Sequence, residues 1–413
     1  HADGYRNMAL RAYERLRCPK QVLFGPWSHM SPRLSMPGPR IDHVPLMIAW
    51  WRRWLAGENV DTGPPIAIFV RRWSDPEPDL DAYEGEWRAE PAWPPARLAE
   101  DRRPLASAAR STGLPGDDLP IRGDVGVTGS IWCAATLPFG LPWDQRPDEA
   151  FSLVYDWPVT SPIEVVGHPR LEATVTSSVP VAFVSAKLCD VAPDGRSALV
   201  TRGILNLSHR DSHETPEALG VGEAIGATIE LDATAYRFEP GHRIRLDLAP
   251  SDFPSSWPSP LPGTISVDPD ASSLVLPVLE GPSSLPPPTF RPGAAEGSLP
   301  ERVRWELRED VLTRERAVAI DHGGVRGRSR LAETFDRYRG EIRVRVREPG
   351  HCTAGAVADL RLRWPEADAR TEARTTLRSD PEAWHLSVEL DVFEGAERIA
   401  ERRWERRVPR LLQ

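Results

Sequence analysis

The spacing of apolar residues changes along this chain, and each change predicts a different element. Over residues 3–17 the apolar side chains fall at 5, 8, 9, 12, 13 and 16, a helical spacing. Arginines gather toward the C-terminal end of that stretch, where the helix dipole favours them. Gln21-Val22-Leu23-Phe24 follows as a short, mostly apolar run that reads as a buried strand, stopped by Gly25-Pro26. A second helix is expected over about 42–56, with Asp42 as N-cap, Pro45 in the first turn and Gly57 at its end. Its Leu46, Ile48, Trp50, Trp51, Trp54 and Leu55 cover most of the circumference, which predicts a largely buried helix.

Past Thr62-Gly63-Pro64-Pro65 the pattern shortens to that of strands, beginning with Ile66–Val70 and running to about residue 290. The clearest runs are Phe151–Tyr155, Leu171–Val175, Val181–Val184, Ala198–Ser208, Ile225–Asp232 and Arg243–Leu248. Many short strands between Gly, Pro and Asp turns argue for a β-sandwich or jelly roll. Residues 71–150, rich in Pro, Trp and Asp, read as long loops wrapping its edge. Residues 281–300 have linker composition. Beyond them Val303–Glu309, Glu341–Val346, Val357–Trp364, Glu372–Arg378, Trp384–Val392 and Arg398–Arg406 alternate apolar and polar, predicting a second β-rich unit with one solvated face.

Composition narrows the class. The 413 residues suffice for two or three domains, and 40% hydrophobic with 27% charged is ordinary for a folded chain. No run approaches the ~20 apolar residues of a spanning helix. A net charge of −9 argues against a nucleic-acid partner. Lys20 and Lys187 are the only lysines, a skew that reads as coding bias and not as a binding device. Cys18, Cys133, Cys189 and Cys352 lie far apart, so buried free thiols are expected and no metal or redox site. No targeting segment is visible, but the chain opens on His1, not Met, so its true N-terminus is expected to lie upstream. A cytoplasmic compartment is the default expectation.

The chemistry concentrates near the front. His29 stands just past the end of a predicted strand, where catalytic side chains gather in open α/β sheets. Asp3 precedes it by 26 positions, with one helix and one strand between. An acid and then a histidine on successive strand-end loops is the order of the last two members of a Ser-His-Asp hydrolase of the α/β type. Asp3 also suits a helix N-cap. Ser28 beside His29 is not expected to be a nucleophile, because adjacent residues past a strand point apart. His209 and His213, four apart near Asp211 and Glu214, have a spacing that suits zinc on a helix. They sit at a strand end and read as a polar loop. Nothing implies a cofactor or nucleotide.

Gly25-Pro26-Trp27-Ser28-His29 with Asp3-Gly4 upstream resembles the end of the catalytic domain in the cocaine esterase / X-Pro dipeptidyl-peptidase hydrolases, the CocE/NonD group. Leu188-Cys189-Asp190-Val191-Ala192-Pro193-Asp194-Gly195 is similar to a turn of that family's jelly-roll domain. Gly241-His242-Arg243-Ile244-Arg245-Leu246 with Ser251-Asp252-Phe253-Pro254 beyond it is similar to a strand of the same domain and the loop that follows. These two segments are expected to build the fold, and Trp257 to stand near a pocket.

The resemblance implies a remnant of an α/β-hydrolase domain over 1–60 and a jelly-roll sandwich over 61–290. Its motifs do not reach 300–413, which the alternating pattern makes a small β-rich C-terminal unit, and the whole chain is expected to be mostly β. It implies that Asp3 orients His29, the general base of a serine hydrolase acting on small-molecule esters or short X-Pro peptides. No Gly-x-Ser-x-Gly spacing occurs here, so the serine is expected outside these residues and the chain alone is expected to be inactive. The competing reading is a non-catalytic jelly-roll module that binds carbohydrate or protein. A pure binding module has no need of the Asp3 and His29 pair.

Overall fold

The computed structural model describes residues 2–110, 112–130, 140–294, 303–329 and 331–413, and of Val325 and Arg326 the backbone alone. Three sheets account for about half of these residues, with few helical segments. Strand Arg170–Ser177 illustrates how the alternating pattern is spent: Leu171, Ala173 and Val175 are buried while the residues between them are half-buried. It pairs antiparallel with Ala224–Glu230 on one side and Thr264–Leu279 on the other, inside a ten-stranded sheet. A four-stranded sheet runs Ser197–Asn206, Phe183–Val191, Arg243–Ala249, Leu153–Pro158, in that spatial order. Leu188, Leu246 and Tyr155 from the smaller sheet meet Val165, Leu171 and Leu274 from the larger in one core. Each such side chain contributes about 1.5–3 kcal/mol by burial.

The front of the chain is built into the larger sheet. Val22–Phe24 pairs in parallel with Ile66–Arg71, and helix Arg6–Arg15 lays Leu10 and Tyr13 over both. Helix Val44–Trp54 forms as expected, with Pro45 in its first turn, but His43 and not Asp42 is its N-cap. It is not buried: Met47, Ile48, Trp51, Trp54 and Leu55 are each about half exposed or more. An apolar circumference sets what a helix is able to bury; only neighbouring elements decide what it does bury.

Residues 71–150 are not simply loops. They contain strands Gly85–Glu90, Leu98–Pro104 and Asp118–Pro120, which join the large sheet. The first two escape a pattern reading because edge strands carry charged residues such as Arg88, Asp101 and Arg102. Residues 281–294 form a strap and not a free linker. Phe290 packs edge-on against Trp87 with ring centroids 4.6 Å apart, and the Arg291 carbonyl accepts from the Asp42 amide at 2.8 Å. The rest of that stretch, 295–300, lies outside the described residues.

The C-terminal unit is a seven-stranded antiparallel meander, its strands paired in chain order from Arg304–Asp310 to Glu397–Pro409. One end of it docks on the sandwich, where Val318, Val344 and Cys352 bury against Val127 and Phe253. Trp257, expected near a pocket, instead donates to Ser379 Oγ at 2.9 Å and packs on Trp384. Buried Arg410 donates to the Gly350 carbonyl at 3.3 Å and to the Pro258 carbonyl. Gly123 is required at this seam, because a Cβ there would lie 2.5 Å from Val344 Cγ2.

Candidate functional site

His29 follows strand Val22–Phe24 through Gly25-Pro26-Trp27-Ser28. Three contacts hold that turn. Trp27 Nε1 donates to the Pro39 carbonyl at 2.8 Å, the Ser28 amide donates to Ser35 Oγ at 3.1 Å, and the Ala2 amide donates to the Trp27 carbonyl at 3.2 Å. The last contact brings the start of the chain beside the histidine loop. There His29 Nδ1 lies 3.0 Å from Asp3 Oδ2. The other carboxylate oxygen accepts the Tyr5 amide at 2.9 Å, which fixes the carboxylate plane at the head of helix Arg6–Arg15. Asp3 is therefore both a local turn-maker and the partner of His29. The N-cap position itself falls on Tyr5.

The Tyr5 ring stands 5.2 Å from the imidazole, and nothing in the spacing of the sequence distinguished it. The His29 side chain is 53% exposed and that of Asp3 26%, so this pair opens outward. Ser28 points the other way: it is buried, and its Oγ lies 3.3 Å from Ser35 Oγ. With Nδ1 committed to a carboxylate, a neutral imidazole carries its lone pair on Nε2, the atom that takes a proton from a nucleophile.

A second polar cluster lies on the outer face of the four-stranded sheet and is structural. Lys187 Nζ contacts Asp148 Oδ2 at 3.2 Å and Gln145 Oε1 at 3.3 Å. Arg202 pairs with Asp252 at 3.0 Å, and Arg245 grips Asp156 through two bonds of 2.7 Å. All of these side chains are buried. Burial pushes the Asp247 carboxyl up to about 7, although the Lys187 ammonium across the ladder pulls the other way. One of the two lysines thus has a specific place, which coding bias alone did not convey. Asp190, in the turn singled out above, is equally structural, accepting from Tyr236 Oη at 2.8 Å and bonding His242 Nδ1 at 2.9 Å. Gly195 closes that turn at φ +89°.

His209 and His213 do approach, Nδ1 to Nδ1 at 3.4 Å. Among the described residues, however, no three His, Cys, Asp or Glu side chains gather as a metal site. Cys18 is exposed, contrary to expectation, while Cys189 and Cys352 are buried; Cys133 lies outside the described residues. No helix among the described residues is long and apolar enough to cross a membrane. Depressions of about 460 and 400 Å³ lie on the C-terminal sheet and do not include the dyad. A groove of about 360 Å³ runs between Val22-Leu23 and the exposed helix, lined by Leu46, Trp50, Trp51 and Phe290.

Comparison with known proteins agrees with this architecture. Residues 59–285 match the X-Pro dipeptidyl-peptidase C-terminal non-catalytic domain, and the chain belongs to that family. It is 29% identical over 283 residues to cocaine esterase of a Rhodococcus species, covering 61% of this chain and 47% of that protein. It is 24% identical over 158 residues to Xaa-Pro dipeptidyl-peptidase of Streptococcus gordonii, covering 30% of this chain and 21% of that one. An aminopeptidase from a thaumarchaeon shares the fold, with a TM-score of 0.51 at 18% identity, over 65% of this chain and 50% of that one. The chain spans less than half the length of the curated relatives it matches. Its Asp3 and His29 lie ahead of the matched domain.

Proposed function

We propose that this chain is the C-terminal portion of a serine hydrolase of the cocaine esterase / X-Pro dipeptidyl-peptidase type. Residues 1–60 close an α/β-hydrolase domain, 61–290 form a jelly roll beside it, and 300–413 are an accessory sheet. The observation that carries this reading is the 3.0 Å contact between His29 Nδ1 and Asp3 Oδ2, on a loop ahead of the non-catalytic domain. In the proposed reaction a serine from outside these residues attacks the carbonyl carbon of an ester or X-Pro amide. Its proton passes to His29 Nε2, and Asp3 stays ionised beside the imidazolium. The same proton then goes to the departing alcohol or amine, and water repeats the cycle to release the acid. The exposed apolar surface of helix Val44–Trp54 supports the reading, because it suits a helix that packs on a further part of such a domain.

The test is turnover of an activated ester and an X-Pro amide by a longer form of the protein that carries the upstream serine. Asp3→Asn lowers kcat by a factor on the order of 10⁴ and His29→Ala by one on the order of 10⁶, and the double variant loses little more than His29→Ala alone. Unchanged turnover in both variants overturns the assignment.

A further inference from the structure

The two faces of the C-terminal sheet differ in a way that one chain does not use. On one face arginines and carboxylates neutralise each other across strands: Arg337 grips Asp321 at 2.7 and 3.0 Å, and Arg339 meets Asp359 at 3.2 Å. That face is suited to water. The central strand, Glu348–Trp364, turns Cys352, Ala354, Ala358, Leu360, Leu362 and Trp364 to the opposite face, where the register also places Tyr338 and Trp404. At one end of this apolar face Cys352 is buried against the sandwich. Further along the same strand the cover stops, and Tyr338, Leu360, Leu362, Trp364 and Trp404 are 38–42% exposed.

We infer that the uncovered part of this face is the interface with a second copy of the same chain, packed sheet on sheet. It continues a seam the protein already buries, so the same kind of surface is extended and no new chemistry is needed. The register sets Ala354, Ala358 and Ala373 as a strip of small residues near the middle of the face and the bulky Trp364 and Trp404 toward its margins. A two-fold partner seats its margin on that strip, with the sheets ~10 Å apart as in sandwiches. The area suffices. Strand Arg304–Asp310 ends level with Val357, so six spacings of ~4.8 Å hold over the first three residue rises of ~3.3 Å from Ala354 and five over about six rises beyond, roughly 750 Å² per copy. Two copies bury roughly 1,500 Å², inside the ~1,200–2,000 Å² range of standard stable interfaces.

The experiment is sedimentation velocity with light-scattering mass on the 413-residue chain from 1 to 100 µM, for wild type, Leu360→Glu and Val357→Glu. The expected result is a mass of twice 45.9 kDa for wild type and for Val357→Glu, on the charged face, and a monomer for Leu360→Glu with unchanged circular dichroism. A wild-type monomer at 100 µM overturns the inference and leaves this face to another part of the protein or another partner. A dimer that survives in a folded Leu360→Glu variant also overturns it. Should Leu360→Glu fail to fold, small-angle scattering of the wild-type dimer decides. Its profile fits two copies joined through their C-terminal sheets, or the inference fails.

Discussion

Asp247 provides a quantitative test of the buried charge layer beneath the four-stranded sheet. It lies on strand Arg243–Ala249, opposite Lys187 in the ladder, and is fully buried. Burial, reinforced by the nearby Glu149 carboxylate, outweighs the Lys187 ammonium and raises its carboxyl from 3.8 to about 7. The folded state therefore holds this proton more tightly than the unfolded chain does. The resulting stability is fully present below the unfolded value, falls as pH rises from about 4 to 7, and is lost above that. A rise of about three pH units corresponds to about 4 kcal/mol. Asparagine keeps the shape and never ionises. Asp247→Asn should thus match wild type near pH 4 and become about 4 kcal/mol more stable at pH 8. The gap between them widens by about 1.4 kcal/mol per pH unit from 5 to 7 and levels off above 7. Urea unfolding at several pH values, with both proteins followed by circular dichroism, measures that gap directly. A gap independent of pH across 5–8 refutes the reasoning and means that Asp247 is ionised in the fold, balanced by Lys187.

Other consequences are simpler to check. Lys187→Met leaves Asp148 buried without its cation and should cost about 3–5 kcal/mol at pH 7, read by the same urea transition. Trp257→Ala removes the bond to Ser379 and the packing on Trp384; limited proteolysis should then cleave between sandwich and C-terminal sheet, with a stability loss of about 2–3 kcal/mol. Cys18 should react quickly with a thiol reagent while Cys352, buried and pushed up to about 12, reacts only on unfolding, as peptide mass spectrometry would show.

Which parts were legible in the sequence follows from what each pattern records. Arg170–Ser177 alternates cleanly because one face meets the core, and the long C-terminal strands alternate in sequence although only one end of their apolar face is covered within the chain. Thr264–Leu279 is hidden in the sequence by Pro269 and Pro277, which signal breaks; Pro269 falls where the register slips between Asp268 and Ser273, and Pro277 stands opposite Glu100 in the ladder to an edge strand. Helix Val44–Trp54 was legible as a helix, but its exposure was not, since burial belongs to the neighbour and not to the tryptophans. The Asp3 and His29 pair was legible from its motif, whereas the Tyr5 ring beside it was not. Trp257 reads as a pocket residue only through the family resemblance, in which the sandwich helps wall the active site; its indole joins the sandwich to the C-terminal sheet.

The central claim is that His29, oriented by Asp3, activates a serine carried outside these residues. Fluorophosphonate labelling of the longer protein, beside its His29→Ala variant, tests it most directly. Strong labelling of one serine in the wild type that collapses in the variant is the predicted result. Equal labelling of the two proteins, or none in either, contradicts the claim and makes the contact between His29 and Asp3 a structural one.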